Sequence, residues 1–377
     1  MSLRSAFAIP LVATILFAFA TVHAGDGKNK RRPGKPAASN APAQTASPEN
    51  NPSARDQGDS ADDADPGIAT PGAVRAAQEA DIELGAPIQF HNISVVPVMT
   101  KRRGPFQKYT LLEEGLRQKT LAVREIQGDS DNAQVNAVEI KNSGTDPVYL
   151  LGGEMILGGK QDRIIAGDTV IEPADQWVEV AVFCVEQGRW QGQNMKFESG
   201  QAMADVSVRK AAMSGNQSEV WKEVSTKNAI HGTESATHTY RRTIQNAKVR
   251  EKVSPYVREL SSKLPRQGQL AGLVFGVNGH IHVADIFGNP VLFQDLSHKL
   301  LSAYVLEALG QKVEQDARPV SKSEAGKFVD QGRKAKSKGM TKSGRARSYS
   351  KEDDAFIGAE TVDEKTGETV RETYIGK

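Results

Sequence analysis

The residues best suited to chemistry lie in two short segments, "LGGEMILGGKQDRII" at 151–165 and "VFCVEQGRW" at 182–190. In the first, glycine turns whose backbone amides converge, with Lys160 and Arg163 beside them, are typical of an anion-binding concavity. The second adds a carboxylate, a guanidinium and an indole, which suit a planar, hydroxylated or phosphorylated ligand. We therefore predict a ligand-binding site that comprises Glu154, Lys160, Gln161, Arg163, Glu186, Arg189 and Trp190.

The same two segments support two other hypotheses. In a hydrolase, Glu154 and Glu186 would be an acid/base pair, with the proton affinity of one carboxyl raised by burial. In a structural protein, the glycines only allow strands to turn and pack closely. The charged side chains would then form one buried ionic network of Lys160, Arg163, Glu186 and Arg189. The residues alone leave these alternatives open.

Other catalytic signatures are missing from the sequence. It has no phosphate-binding loop, nucleophile elbow, paired-cysteine zinc motif or helical metalloprotease motif. His280 and His282 share one face of a predicted strand, but only Asp285 offers a third ligand, so we predict no metal and no cofactor. Cys184 is the only cysteine and lies in an apolar run, which predicts a small buried residue without a disulfide.

The N-terminal part of the chain is predicted to be processed and disordered. Residues 1–24 have the pattern of a signal peptide. They begin with a positive charge at Arg4, continue with an apolar run and end in "VHA", which fits the small-residue cleavage pattern. The run is too short for a stable membrane span, so we expect a periplasmic or extracellular protein without membrane insertion. Residues 25–80 contain few large apolar side chains to offset the entropy of ordering, which indicates a disordered linker.

Residues 81–377 are predicted to form a single folded domain. Alternation and β-branched content predict short strands within 88–99, 119–126, 163–173 and 176–186, and residues 134–151 read as a hairpin. The pair Asn278-Gly279 predicts a type I′ turn between two strands, and a final hairpin turns at 363–367. These elements predict an α+β fold with an antiparallel, β-sandwich-like core and three or four packed helices.

Capping residues place the predicted helices. One helix begins after Asn216, and another begins with Ser254 as N-cap and Pro255 in its first turn. The clearest amphipathic helix covers 290–309, and its predicted buried side carries Leu292, Leu296, Leu300, Tyr304 and Leu309.

The segment 322–347 is strongly basic. Aromatic residues do not interleave with its charges, so we predict no nucleic-acid binding. We expect instead a flexible basic loop at 333–350 that is solvated or contacts an anionic surface. The net charge of +2 favours no particular class of partner, and the sequence leaves the oligomeric state open.

The motifs "GGEMILGGKQDRII", "VEVAVFCVEQGRW", "SEVWKEV" and "VNGHIHVADIFGNPVLFQDLSHKLLSAYVLEAL" resemble the ARG and rhodanese-phosphatase-superfamily-associated protein domain, over about residues 82–310. The resemblance implies proximity to nucleotide or ADP-ribose metabolism, but no catalytic residues. Our leading hypothesis is an exported binding module for a small anionic or nucleotide/ADP-ribose-like ligand. The alternatives are a hydrolase and a structural envelope protein without a ligand.

Overall fold

The longest apolar strands of the chain pair in a nine-stranded sheet. The computed structural model describes residues 82–126, 136–189, 196–265 and 269–377. The strands of this sheet are β1 (Ile82–Leu84), β2 (Ile88–Phe90), β3 (Ile93–Thr100), β13 (Leu270–Val277), β14 (His280–Phe287), β15 (Ser337–Ser343), β16 (Ala346–Glu352), β17 (Phe356–Asp363) and β18 (Thr369–Gly376). Their order is β1-β3-β13-β14-β18-β17-β16-β15, with β2 also paired to β3, and neighbouring strands are antiparallel.

Two smaller sheets contain the strands of the segments with candidate chemistry. The remaining strands are β4 (Thr110–Leu111), β5 (Leu121–Glu125), β6 (Ala137–Asn142), β7 (Val148–Leu150), β8 (Glu154–Leu157), β9 (Arg163–Ile165), β10 (Thr169–Ile171), β11 (Val178–Cys184) and β12 (Glu198–Met203). Six of them form a sheet in the order β12-β8-β9-β11-β6-β5. The other three have the order β10-β7-β4, in which β4 runs parallel to β7.

Seven helices occur in the described part of the chain, and four of them exceed ten residues. They are α1 (Leu112–Gln118), α2 (Val206–Met213), α3 (Gln217–His231), α4 (Arg241–Ile244), α5 (Ala247–Lys263), α6 (Pro290–Leu309) and α7 (Lys322–Lys334). Asparagine side chains cap α3, α5 and α6, and Ser321 and Glu324 form a capping box at α7. No helix of the described residues is both long and apolar enough to span a bilayer.

The predicted α+β class with antiparallel sheets is confirmed. Asn216 is the N-cap of α3, and α6 has the predicted bounds. Asn278 and Gly279 have φ values of 51° and 81°, as a type I′ turn between β13 and β14 requires. The final hairpin is the β17–β18 pair.

Local signals misplaced two other elements. The hairpin predicted at 134–151 is wrong, because β6 pairs with β5 and β11 whereas β7 pairs with β10 and β4. The helix predicted to begin at Pro255, with Ser254 as N-cap, begins at Ala247, with Asn246 as its N-cap and Pro255 in its interior. The earlier start buries Val249 against the core, which helps to offset a disfavoured internal proline.

The basic segment 333–350 was expected to be a loop, and instead contains the end of α7, β15 and much of β16. Its strands continue the backbone ladder of β17 and β18, which satisfies their amides and carbonyls. Its cations also find carboxylates: Arg345 binds Asp363 at 2.6 Å, and Lys338 binds Glu352 at 3.0 Å.

The core is divided among layers of sheets and helices. One face of the nine-stranded sheet packs on α5 and α6, and the other packs on α7. The three-stranded sheet lies against the six-stranded sheet through side chains such as Val148, Ile156 and Val180. The opposite face of the six-stranded sheet packs on α2 and α3. The central strands of the two larger sheets are therefore covered on both faces, whereas the edge strand β15 is exposed.

A fully buried group of charges joins these layers. Asp285 of β14 accepts two hydrogen bonds from Arg209 of α2, at 3.0 and 3.1 Å, and two from Arg371 of β18, at 2.9 and 2.7 Å. Tyr304 of α6 also donates to Asp285, and Arg371 donates to Asp168 at 2.7 Å. We call these five residues the Asp285 cluster. Although burial opposes ionisation, the two guanidinium groups hold the pKa of Asp285 well below its usual range.

The Asp285 cluster predicts a large effect of a nearly isosteric substitution. Asp285→Asn removes the charge that Arg209 and Arg371 share, so the free energy of unfolding should fall by about 3–5 kcal/mol. Urea unfolding at neutral pH measures this loss. The exposed residue Asp354 provides the control, and Asp354→Asn should change stability by less than about 0.5 kcal/mol. Equal effects of the two substitutions would show that the cluster does not hold the layers together.

Candidate functional site

The two segments predicted to form a site meet at one end of the six-stranded sheet. β8 and β9 are joined by the turn at 158–162, and β11 pairs with β9 so that Cys184 lies opposite Arg163. Just beyond β11, the Gln161 side chain donates to the backbone carbonyl of Glu186 at 2.7 Å. The structure therefore brings Lys160, Gln161 and Arg163 together with Glu186 and Arg189, whereas Trp190 lies outside the described residues.

The glycines of the first segment face the chain itself. A side chain at Gly153, whose φ is 93°, would come within 2.8 Å of Arg209 Cγ. Gly158 and Gly159 also have positive φ, and side chains there would overlap the Lys196 carbonyl and the Phe197 ring, respectively. Only glycine permits both this backbone conformation and this close approach. The glycines thus serve packing between neighbouring segments.

A buried aspartate that the sequence analysis missed organises the charges at this place. Asp162 accepts hydrogen bonds from the Gly158 amide at 3.0 Å, from Arg241 Nε at 2.8 Å and from Thr239 Oγ1 at 3.2 Å. Arg189 reaches it as well, at 3.3 Å, while binding Glu186 at 2.7 Å. We call Asp162, Glu186, Arg189 and Arg241 the Asp162 network.

Arg163 and Lys160 contact a second carboxylate, that of Glu125. The Arg163 side chain is fully buried and donates to both Glu125 oxygens, at 3.0 and 2.8 Å. The backbone amide of Lys160 donates to Glu125 at 2.7 Å. Burial raises the pKa of the adjacent Cys184 thiol to about 11, although Arg163 acts against this shift. The thiol is therefore a poor nucleophile at neutral pH, as its apolar surroundings predicted.

Glu154 belongs to a different ionic group. Its buried carboxylate forms an ion pair with Lys299 of α6, whose ammonium also binds Glu113 of α1 at 2.9 Å. The second oxygen of Glu154 accepts from the Leu151 amide at 3.2 Å. We call Glu113, Glu154 and Lys299 the Lys299 triad. Glu154 and Glu186, paired in the hydrolase hypothesis, thus bind different cations.

The Lys299 triad holds a proton near neutral pH. Burial raises the pKa of Glu154 to about 7, and Glu113 adds to this shift while Lys299 opposes it. Burial acts in the same direction on Glu113, but Lys299 outweighs it and lowers the pKa of that carboxyl. The triad therefore consists of one ionised carboxylate, one ammonium and one carboxyl that is half protonated near pH 7.

A pocket of about 500 Å³ lies beside this triad, between β12 and the helices α4, α5 and α6. Lys299 reaches its wall although only 7% of this side chain is exposed. Apolar and polar side chains share the lining, which includes Leu157, Met203, Leu306, Gln201, Arg250 and His298. We call this space the Lys299 pocket. Its volume is typical of a site for a small molecule.

The strand at the edge of the Lys299 pocket is irregular. The pairing of β12 with β8 shifts register between Ser199 and Met203, and Gln201 has a φ of 50°. β-bulges re-aim side chains and occur often beside active sites, and a non-glycine residue with positive φ is uncommon. This bulge places Gln201 in the lining of the pocket.

The described residues contain no cluster of three or more side chains suited to a metal ion. His280 is exposed, His282 lies 3.3 Å from Gln311, and Asp285 is held by its two arginines. These three residues therefore do not share a common point.

Two signals in the sequence could have found the residues that were missed. Lys299 follows Leu296 by three residues, so it lies on the apolar face of the clearest amphipathic helix. A lysine on a buried face requires a partner, which the structure supplies as Glu113 and Glu154. The sequence indicates a role for Asp162 less clearly, because its partner Arg241 lies far away along the chain.

A family model for the ARG and Rhodanese-Phosphatase-superfamily-associated Protein domain matches residues 81–375. The match covers most of the chain and extends beyond residue 310, so the chain belongs to this family. The comparisons with curated proteins and with solved structures find no match.

The Asp162 network predicts a structural effect of Arg189→Ala. Glu186 is 5% exposed and would lose its cation, so the free energy of unfolding should fall by about 3 kcal/mol. Chemical denaturation measures the change. Arg242→Ala, at an exposed arginine of α4, is the matched control and should be close to neutral. An Arg189→Ala protein as stable as this control would argue against a structural network.

The Lys299 triad predicts a pH dependence of stability. The pKa of Glu154 is about 7 in the folded protein and 4.5 for the unperturbed group. Its proton therefore stabilises the fold below about pH 4.5, and this contribution is lost as the pH rises through 7. Relative to Glu154→Gln, the wild-type free energy of unfolding should fall by on the order of 3 kcal/mol over this range. Denaturation at pH 5 and pH 8 measures it; the exposed control Glu251→Gln should show no such difference.

Proposed function

We propose that this member of the ARG and rhodanese-phosphatase-superfamily-associated protein domain family is an exported binding module for a small anionic ligand, and that the ligand occupies the Lys299 pocket. The observation that carries the proposal is a buried ammonium in the wall of a pocket large enough for a small molecule. Export rests on the signal-like pattern of residues 1–24.

The donors of Lys299 favour an anionic group. An ammonium has three N–H donors, and two carboxylates of the described residues accept from it. The third donor is left for an acceptor in the pocket. Arg250 and His298 line the same space and add further donors, whereas Glu198 is the carboxylate among its lining residues. Hydrogen bonds between charged groups are about twice as strong as neutral ones.

The two glutamates of the Lys299 triad set the conditions for such binding. With Glu154 protonated, Lys299 and Glu113 neutralise each other, as do Arg250 and Glu198, so the pocket carries no net negative charge; ionisation of Glu154 would add one. An anion beside Lys299 also favours the protonated form of Glu154, because like charges repel. Binding of the anion and binding of the proton should therefore strengthen each other.

The remaining lining suits the less polar part of such a ligand. Leu157, Met203 and Leu306 provide an apolar surface, and Gln201 provides an amide beside it. Small-molecule sites commonly combine apolar walls with a few polar groups that fix orientation. A nucleotide or a sugar phosphate has both kinds of surface. This composition supports the nucleotide-like ligand class that the family resemblance implies.

A hydrolase is the second candidate, because one observation favours it. Glu154 has a pKa of about 7 and sits beside Lys299, which lines the pocket, and a general acid or base works best near the operating pH. Glu186 is bound by Arg189, whereas Glu113 shares Lys299 with Glu154. In this candidate Glu154 and Lys299 would act together. Hydrolysis of a bound nucleotide or sugar phosphate by the wild type, lost in Glu154→Gln, would support it.

Binding is tested by thermal shift of the chain without residues 1–24, in the presence of ADP-ribose, ADP, glucose 6-phosphate, inorganic phosphate or divalent metals. A ligand at a hundred times its dissociation constant stabilises the folded state by about 2.7 kcal/mol. We expect a shift with at least one phosphate probe, and a smaller shift at pH 8 than at pH 6.

Three variants locate the binding site. Lys299→Met and Arg250→Gln should abolish or weaken the shift, and Arg250→Gln alters only an exposed side chain, so it leaves the core intact. Lys252→Gln removes an exposed charge of the same helix outside the pocket and should bind as the wild type does. A shift that survives both pocket variants, or the lack of a shift with any probe, would refute the proposal.

A further inference from the structure

A second cavity, of about 550 Å³, adjoins the Lys299 pocket. The two spaces share four lining residues, Val253 and Ser254 of α5 and His298 and Ser302 of α6. Shared walls make them two parts of one groove between these helices. We call the second cavity the distal lobe; its own residues are Val257, Arg258, Ser261 and Ser262.

One face of α5 runs along the whole groove. Arg250, Ser254, Val257 and Ser261 follow one another at spacings of four, three and four residues, which places them on one side of a helix. At 1.5 Å per residue, this row is about 17 Å long. Each lobe falls in the size range of a small-molecule site, so the groove fits an elongated ligand better than a single compact one.

The hydrogen bonds of the serines define what the distal lobe can recognise. Ser254 and Ser302 each donate to a carbonyl of their own helix at 2.7 Å, and Ser262 does so at 2.8 Å. A hydroxyl has one hydrogen to donate, so these oxygens offer only acceptor sites to the groove. The exposed Arg258 offers donors there. A ligand group that both donates and accepts, such as an alcohol, satisfies both.

The floor of the distal lobe is apolar. Val257 is buried and Val253 is half-buried beneath the serines. A sugar ring presents hydroxyls at its edge and C–H groups on its face, so it matches a lobe with acceptors on its walls and valines beneath. An aliphatic chain would leave the acceptors unused, and a second phosphate would use the donors of Arg258 but would have no hydrogen to give to the serine oxygens.

We propose that the ligand is an elongated glycosyl compound with an anionic head in the Lys299 pocket and a hydroxylated tail in the distal lobe. This inference rests on the proposed function, because the pocket must first accept the head. It adds that affinity depends on tail length, and that α5 sets this dependence through the face that carries Ser254, Val257 and Ser261.

Three probes of increasing length test the inference: inorganic phosphate, glucose 6-phosphate and trehalose 6-phosphate. Calorimetry should give tighter binding along this series, with the disaccharide phosphate about tenfold tighter than the monosaccharide phosphate, as one or two added hydrogen bonds provide. Ser261→Trp places an indole in the distal lobe from an exposed position. It should abolish the tenfold gain and leave the affinity for glucose 6-phosphate unchanged.

Ser225→Trp is the matched control, since Ser225 is an exposed serine of α3 that lies outside both lobes. It should retain the tenfold gain. Equal affinity of the wild type for the two sugar phosphates overturns the elongated ligand but leaves the proposed function standing. So does a gain that persists in Ser261→Trp. Failure of all three probes to bind the wild type overturns the elongated glycosyl ligand, and failure of ADP-ribose and ADP as well overturns the proposed function.

Discussion

The rest of the structure depends on the requirement that buried charges be paired. Asp285 lies at the junction of β14, β18, α2 and α6, where Arg209 and Arg371 both bind it and Arg371 also binds Asp168. Removing these ions from water costs several kcal/mol for each ion, so the charged form of Asp285 persists only when all its partners are in place. The Asp285 cluster therefore favours the one arrangement of sheets and helices that satisfies every member.

The same requirement recurs at other layer boundaries. Lys227 of α3 binds Glu307 of α6 at 2.8 Å, and Arg333 of α7 binds Glu372 of β18 at 2.7 Å. Replacement of such pairs by apolar side chains is often neutral or stabilising, so their number is weak evidence for high stability. Their geometry is better evidence for how layers are aligned, because a carboxylate and a guanidinium fit in few orientations.

The glycine-rich segment lies between two of these groups. At one end of the segment, the Gly152 amide donates to Asp168 of the Asp285 cluster at 2.8 Å. Toward the other end, the Gly158 amide donates to Asp162 of the Asp162 network. Glu154 follows the first glycine pair and is the first residue of β8. Its side chain binds Lys299 and is not part of the Asp162 network. The segment therefore combines two roles. Most of its charges align neighbouring segments, and one glutamate holds the lysine that lines the pocket.

Family membership adds a class of domain to this description and no catalytic residues. Much of the motif that carries the resemblance in residues 152–165 lies in or against the ionic groups. Such residues pair buried charges whatever the domain binds, so the motif by itself does not locate a ligand. The Lys299 pocket is also formed by helices from the second half of the matched region, so its lining residues are the more direct evidence for function.

The sequence by itself determined the elements that depend on local physics. Asn216, the Asn278-Gly279 pair and the apolar row of α6 act within a few residues, through capping, positive φ and helical periodicity. The structure brings 160–163 and 186–189 together through the pairing of β9 with β11, whereas Glu154 belongs to the Lys299 triad.

Only the tertiary structure decided which strands pair and which charges meet. β6 and β7 follow a genuine turn signal but join different sheets, because pairing depends on burial against distant segments. Glu154 and Lys299 are 145 residues apart in the sequence, and Asp162 and Arg241 are 79 residues apart. A single sequence shows that these charges exist. It does not show which of them share a buried point, and that proximity separates the charges that are paired within the core from the one that also lines the pocket.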